Sequence, residues 1–334
     1  MLSAQACAPL DALDMRLLDE WQRDFPLTSR PFANLAQRLD LDEADVLTRL
    51  THLSRRAAIS RIGAVVRPNS VGVSTLAALA VPEAQLARVA RLVNAEAGVN
   101  HNYHRENRWN LWFVATGPDR DHLSATLARI TQRSGLPLLD LPMERAFHLD
   151  LGFSLRGQAG KPRARTAAVR RPLDAGARQL LDLVAQGLPL TPRPYQQLAV
   201  ELGTEEAAVL RQLDALCRTG VISRFGVVVR HRALGWRANA MLVWDLPDHQ
   251  VAAAGQRLAA LPGVTLCYQR RRDKLHWPFN LYAMVHAKTR EQAQQVIAKT
   301  TALPELTGAR SDILYSLRCF KQTGALLGKT RRTA

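Results

Sequence analysis

The chain has 334 residues, 47% of them hydrophobic, and a formal net charge of +16, which calls for a globular protein of two to four small domains and excludes a disordered or fibrous one. The four cysteines, Cys7, Cys217, Cys267 and Cys319, stand far apart with no CxxC pair, so a zinc ribbon, a covalently attached heme and a disulfide framework are excluded and buried thiols are expected. The N-terminal MLSAQACAPLDALDMRLLDE shows no basic region followed by an apolar one, and no stretch nears the roughly 18 apolar residues of a membrane span, so the expected location is the cytoplasm.

Much of the charge is segregated. Six basic residues (Arg156, Lys161, Arg163, Arg165, Arg170, Arg171) and no acid lie between Leu155 and Pro172, and Lys329, Arg331 and Arg332 follow near the end. These nine read as a solvated linker, 156–171, and a tail, 329–334. The remaining body is modestly basic, which suits an anionic small molecule and does not demand nucleic acid.

The chain repeats itself. FPLTSRPFANLAQRLDLDEADVLTRL from Phe25 matches LPLTPRPYQQLAVELGTEEAAVLRQL from Leu188 at an offset of 163, and ISRIGAVVR from Ile59 matches ISRFGVVVR from Ile222. A repeat this long signals duplication and an internal pseudo-dimer rather than a solenoid.

In chain order, each half opens on a helix, with Leu13, Leu17, Leu18 and Trp21 on one face and Leu180, Leu181 and Val184 repeating it. Pro31 and Pro194 suit a first helical turn. Residues 32–39 and 43–53 then give a short helix, a turn and a longer helix, the helix-turn-helix pattern. The alternating Ile62, Ala64, Val66 and Phe225, Val227, Val229 predict a wing strand in each copy. Each half continues strand, helix, strand, strand, helix, strand, the ferredoxin-like βαββαβ order. The expected fold is α+β, a tandem duplication of a winged helix-turn-helix and a ferredoxin-like domain, with boundaries 1–68, 69–155, 156–171, 172–231, 232–328 and 329–334.

This succession resembles the Lrp/AsnC transcription regulators, which makes DNA binding the alternative function. Against it, the second helix of each unit starts with carboxylates, Asp42, Glu43 and Asp45 or Glu205 and Glu206. These would meet phosphates with like charge. Arg49, Arg55, Arg56, Arg211 and Arg218 come later on these helices, where a solvated face or a domain contact explains them.

The chemistry concentrates in two hairpins, GVNHNYHRENRWNLWFV from Gly98 and GVTLCYQRRRDKLHWPFNLYAMVHAK from Gly263. Aligned on Val99 and Val264, Tyr103 meets Tyr268 and Arg105 meets Arg270; beyond a loop five residues longer in the second copy, Asn110 meets Asn280 and Trp112 meets Tyr282. Strand alternation sets His101, Tyr103 and Arg105 on one face and Asn102 and His104 on the other. A triplet of His, Tyr and Arg is not core material, because each needs a partner and arginine keeps its charge. That face should line a cavity.

HNYHR with NLWFV, FHLDLGF at Phe147, and LCYQR with WPFNLYAMVH together resemble the siroheme decarboxylases, above all those with both parts fused in one chain. The resemblance implies that siroheme loses two acetate carboxyl groups as carbon dioxide, giving 12,18-didecarboxysiroheme on the route to d-type heme; a related branch serves an alternative heme route with separate subunits. It implies no cofactor beyond the iron of siroheme. Expected partners are siroheme, other heme-biosynthesis enzymes and, beyond the pseudo-dimer, a second copy of the chain; a membrane and DNA are not expected.

Decarboxylating a pyrrole-bound acetate needs protons and a hold on the carboxylates. His101 is the first choice of proton donor. Tyr103 and Tyr268 orient or relay, and Arg105 and Arg270 suit clamps on acetate or propionate groups. His101, His104 and His276 are the candidate ligands of the substrate iron, His104 only if a bulge turns it inward. His276 reads either as an exposed loop residue or as a lid, donor or ligand. Asn110 and Asn280 are candidate substrate contacts, and Trp112, Trp277 and Tyr282 either stack on the macrocycle or pack in the core. His286 and His148 should complete buried hydrogen bonds, and Arg61, Arg67, Arg224 and Arg230 should form structural salt bridges. His101 faces Leu266 in the alignment, so the copies are not equivalent: either one supports the other, or each takes a different acetate.

Overall fold

A computed structural model describes residues 10–149, 152, 155 and 173–324. The basic linker and tail lie outside them.

The first half begins with α1 (Ala12–Asp19), α2 (Pro31–Leu39), α3 (Glu43–Arg55) and β1 (Ile59–Val66). Asp11 and Asp14 close a reciprocal capping box at the start of α1, satisfying donors that a helix end leaves open. Pro31 fills the first turn of α2, where its missing N–H costs nothing. After β1 come β2 (Val73–Leu79), α4 (Leu86–Ala95), β3 (Val99–Arg105), β4 (Leu111–Gly117), α5 (Arg120–Ser134) and β5 (Leu138–Leu149). The second half repeats the series as α6 (Ala175–Gln186), α7 (Pro194–Leu202), α8 (Glu206–Arg218), β6 (Ile222–Val229), β7 (Ala238–Asp245), α9 (Val251–Ala260), β8 (Val264–Arg270), β9 (Leu281–Ala287), α10 (Arg290–Thr301) and β10 (Arg310–Gln322). The α+β duplication read from the sequence is present.

The halves do not stand side by side as separate units. The wing strands β1 and β6 pair with each other, antiparallel, with Gly63 opposite Gly226. Around this ladder both helical units share one core, in which Trp21, Phe25, Phe32 and Leu50 of the first copy join Tyr195, Leu198 and Leu213 of the second.

The ferredoxin-like units are joined as closely. Their eight strands close into one barrel in the order β10-β3-β4-β2-β5-β8-β9-β7. The long strands make the seams. β5 pairs with β2 over residues 138–142 and with β8 of the other copy over 143–149. β10 pairs with β7 over 310–315 and with β3 of the other copy over 316–322. Each unit alone would leave strand edges unpaired, and closure removes them. The outer faces bury Leu79, Val99 and Phe113 beneath α4 and α5, and Leu242, Cys267 and Val285 near α9 and α10. Inside the barrel, Trp112, Trp277, Tyr268, Tyr282 and Leu314 fill one part. The rest stays open toward the wing ladder.

Candidate active site

That open part is a cavity of about 390 Å³, walled by the barrel interior and the paired wings and lined by both copies. From β3 come His101, Tyr103 and Arg105; from β8, Leu266, Tyr268 and Arg270; from the wings and the segments after them, Arg61, Arg67, Arg224, His231 and Arg232. Among the described residues its lining holds six arginines and three histidines, and no aspartate, glutamate or lysine. Its field is therefore strongly positive in a partly dry setting, where charge acts at longer range than in water.

The strand alternation holds in β3, with a shift of register between Val99 and His101 that lets Asn100 and His101 both reach the cavity. Asn102 turns to the other face, where its Nδ2 donates to the Ala90 carbonyl at 3.3 Å and to Asn94 Oδ1 at 3.0 Å. His104 shares that outer face and does not line the cavity. The local twist that would turn it inward is absent.

The two clamp arginines are built alike. Arg105 and Arg270 are 5% and 8% exposed. Arg105 Nη1 donates to the Leu314 carbonyl at 3.2 Å and to Asn239 Oδ1 at 3.1 Å, and Arg270 Nη1 donates to the Leu141 carbonyl at 2.7 Å. Each guanidinium lies over the tyrosine two residues earlier, at 5.5 Å from the Tyr103 ring and 4.6 Å from the Tyr268 ring. The Nε of both has no hydrogen-bond partner among the described residues, although a buried cationic donor is costly to leave unpaired. A carboxylate entering the cavity meets that need.

The histidines are kept neutral. Burial, then the charge of Arg61, pushes His101 down to about 4. Burial, then Arg224, pushes His231 down to about 4, and burial, then His231 and Arg105, pushes His286 down to about 3. Arg61 falls to about 10 through burial, and burial is also the main cause that raises Tyr103 above the ordinary phenol range.

Several candidates named from the sequence fall elsewhere: the structure corrects the substrate-contact reading of Asn110 and Asn280, and for Trp277, Tyr282 and His276 it matches the core-packing and exposed-loop alternatives. Asn110 and Asn280 are backbone clamps: Asn110 bonds both the N–H and the carbonyl of Val81, at 2.9 and 2.8 Å, and Asn280 does the same to Leu246, at 3.0 and 3.0 Å. Trp277 Nε1 donates to the Tyr282 hydroxyl at 2.8 Å, and both rings sit in the barrel core away from the cavity. Trp112 packs edge-on to Trp277 at 5.0 Å and shows one side to the cavity. His276 lies on the hairpin loop with its side chain 59% exposed, 3.3 Å from Asp273, held there because the Asp273 carboxylate also accepts the backbone N–H groups of Leu275 and His276. Of the three histidines considered for the iron, His101 is the one at the cavity. Arg61, Arg67 and Arg224, expected as structural, line the cavity; Arg61 Nη2 donates to the Ala64 carbonyl at 3.2 Å and Arg224 Nη1 to the Gln22 carbonyl at 3.3 Å.

Sequence reasoning missed His231, Arg232 and Asn239 and gave His286 only a structural part. One signal was in view: His231 ends SRFGVVVRH where the first copy ends SRIGAVVRP, at Pro68.

A closed barrel capped by paired helix-turn-helix units, around a cavity lined with arginine and histidine, is a two-copy α+β protein whose inner site suits a polyanionic small molecule in charge. Two family models match the chain: an AsnC-like ligand binding domain over residues 70–148 and 233–321, and a siroheme decarboxylase NirDL-like HTH domain over 14–59 and 177–222. The siroheme decarboxylase NirDL subunit of Paracoccus pantotrophus is 50% identical over 326 residues, 96% of this chain and 98% of that protein. Two solved structures share the whole architecture. The crystal structure of the siroheme decarboxylase NirDL superposes with a TM-score of 0.70 at 27% identity, covering 95% of this chain and 94% of that one. The crystal structure of the siroheme decarboxylase NirDL in co-complex with an iron-uroporphyrin III analogue gives 0.68 at 26%, covering 94% of this chain and 93% of that one. The chain belongs to the siroheme decarboxylase NirDL family.

Proposed function

We propose that this protein is a carboxy-lyase that removes two acetate carboxyl groups from siroheme as carbon dioxide, giving 12,18-didecarboxysiroheme for d-type heme in the cytoplasm. The observation that carries this reading is the cavity itself: six arginines, three histidines and, among the described residues, no carboxylate, within the envelope of a family whose solved member binds an iron-uroporphyrin III analogue. A macrocycle bearing acetate and propionate groups matches such a lining in charge. Among the described residues no helix is long and apolar enough to cross a membrane.

Each event converts –CH2–COO⁻ and one proton into –CH3 and carbon dioxide. The protein must hold the carboxylate, let the macrocycle take up electron density as the C–C bond breaks, and supply the proton. Arg105 and Arg270 hold carboxylates through the donors left open in the protein, and Tyr103 and Tyr268 brace them. His101 supplies the proton. It starts neutral because burial and Arg61 disfavour its cation, and substrate carboxylates near Arg61 offset that charge and raise its proton affinity, so it loads when substrate is present. The siroheme iron belongs to the substrate, and no further cofactor enters this scheme.

The regulator reading finds less support. Glu43 at the start of α3 is ion-paired with Arg30, and Glu206 at the start of α8 lies 2.6 Å from Arg193. Arg49 is held by Asp11 and Asp14 at 2.7 and 3.0 Å. The end that would face DNA is acidic and much of the nearby positive charge is already used.

Anaerobic incubation with siroheme followed by mass spectrometry tests the proposal. A product lighter by two carbon dioxide units is expected. Unchanged siroheme, with or without a shifted absorption spectrum, would refute it.

A further inference from the structure

One partly buried polar chain at the cavity wall crosses from the first copy to the second. Arg105 on β3 donates to Asn239 Oδ1 on β7 at 3.1 Å, and Asn239 Nδ2 lies 2.5 Å from His286 Nε2 on β9. His286 Nδ1 lies 2.7 Å from Thr265 Oγ1 on β8, and Thr265 Oγ1 donates to the Met284 carbonyl at 3.1 Å.

The two ends fix the direction of every bond between them. Arginine has only donors, so the Asn239 atom that meets it is the oxygen, and the atom turned to His286 is the NH2 group. A carbonyl only accepts, so the Thr265 hydrogen goes to Met284 and its oxygen accepts from His286. His286 therefore accepts at Nε2 and donates at Nδ1. A proton on Nε2 would meet the Asn239 NH2 head on, and turning the amide to receive it would set NH2 against Arg105. Burial, with His231 and Arg105 as the facing basic groups, also disfavours the cation and holds His286 down at about 3.

The chain is built once. The first-copy pair equivalent to Asn239 and His286 is Ser74 and Thr116. Ser74 Oγ donates to Asn69 Oδ1 and Thr116 Oγ1 to the Gly98 carbonyl, both at 3.0 Å. Arg270, the counterpart of Arg105, is held by the Leu141 carbonyl and makes no hydrogen bond to another side chain among the described residues. The copies thus differ in how firmly the clamp is held, and the firmer one is Arg105.

We infer that Asn239 is a positioning residue, which locks His286 as the neutral Nδ1–H tautomer and through that anchor holds Arg105 in place for a substrate carboxylate. His286 then acts on the reaction through Arg105 and does not hand over a proton itself. The part concerning substrate rests on the decarboxylase reading; the tautomer does not.

Long-range proton–nitrogen NMR on the full chain with labelled histidine reads the tautomer without substrate. A resonance set lost in His286→Gln identifies the ring. The expected wild-type pattern is Nδ1–H. In Asn239→Asp, where the carboxylate accepts from both neighbours, the proton should move to Nε2. An Nε2–H ring in the wild type, or one unaffected by Asn239→Asp, overturns the assignment. In Asn239→Leu, KM for siroheme should rise about tenfold while kcat changes less than about threefold; an unchanged KM overturns the link to Arg105. A wild-type chain that shows the Nδ1–H ring but leaves siroheme intact supports the lock and sinks the decarboxylase reading instead.

Discussion

Gly63 and Gly226 face each other in the β1–β6 ladder, and each lies under backbone from the helical units. A Cβ on Gly63 would come within 2.2 Å of the Val184 carbonyl, and one on Gly226 within 2.3 Å of the Trp21 carbonyl. The closeness of the two copies, and so the roof of the cavity, depends on these missing side chains.

Replacing either glycine with valine should therefore destabilise the protein, since backbone rather than a flexible side chain stands in the way. Overpacking of this kind costs about 1–3 kcal/mol or more. Urea midpoints for Gly63→Val and Gly226→Val check this; midpoints equal to wild type would show that the ladder shifts freely.

His101→Ala and Arg105→Ala should fail in different ways. The first should bind siroheme yet turn over slowly, by about a hundredfold or more, the usual scale for a general acid. The second should weaken binding or scramble which acetate leaves, because a charge-assisted clamp is lost while the donor stays. Single-turnover rates and titrations separate the two; full activity in His101→Ala would remove it from the proton-donor role.

His104 and His276 lie off the cavity, so His104→Ala and His276→Ala should keep turnover within about threefold of wild type. A larger loss of kcat in either, with normal folding, would put that histidine back among the reacting groups.

Stability should fall on acidification below neutrality. His101 and His231 titrate near 4 and His286 near 3 in the folded protein, against an ordinary 6.5. Between those limits the unfolded chain binds more protons, so the stability present above pH 6.5 is lost progressively as pH falls toward 3 to 4. Urea unfolding at pH 7.5 and pH 5 measures it. A midpoint unchanged at pH 5 would show that these rings are not kept neutral.

DNA binding should be weak, electrostatic and gone at moderate salt, given the acidic starts of α3 and α8. A sequence-specific footprint at about physiological ionic strength would contradict this.

The sequence by itself determined what is local. The duplication shows as self-similarity; the helices and strands follow from apolar spacing, Pro31 and Pro194; and the period of two along β3 puts His101, Tyr103 and Arg105 on one face whatever lies opposite. The tertiary structure decided what faces them. Residues 143–149 pair with β8 and 316–322 with β3, partners more than a hundred residues away that no periodicity names. That exchange turns two sheets into one barrel and two candidate sites into one shared cavity. The wing pairing likewise brings Arg61, Arg224 and His231 over it, although their own segments read only as strand and turn. Asn110, Asn280, Trp277 and Tyr282 looked like site residues because the hairpins are rich in polar and aromatic groups. Which of those groups meet substrate and which brace the barrel depends on where each side chain lies once the barrel closes, since a buried amide or indole satisfies its hydrogen bonds with whatever the fold brings within reach.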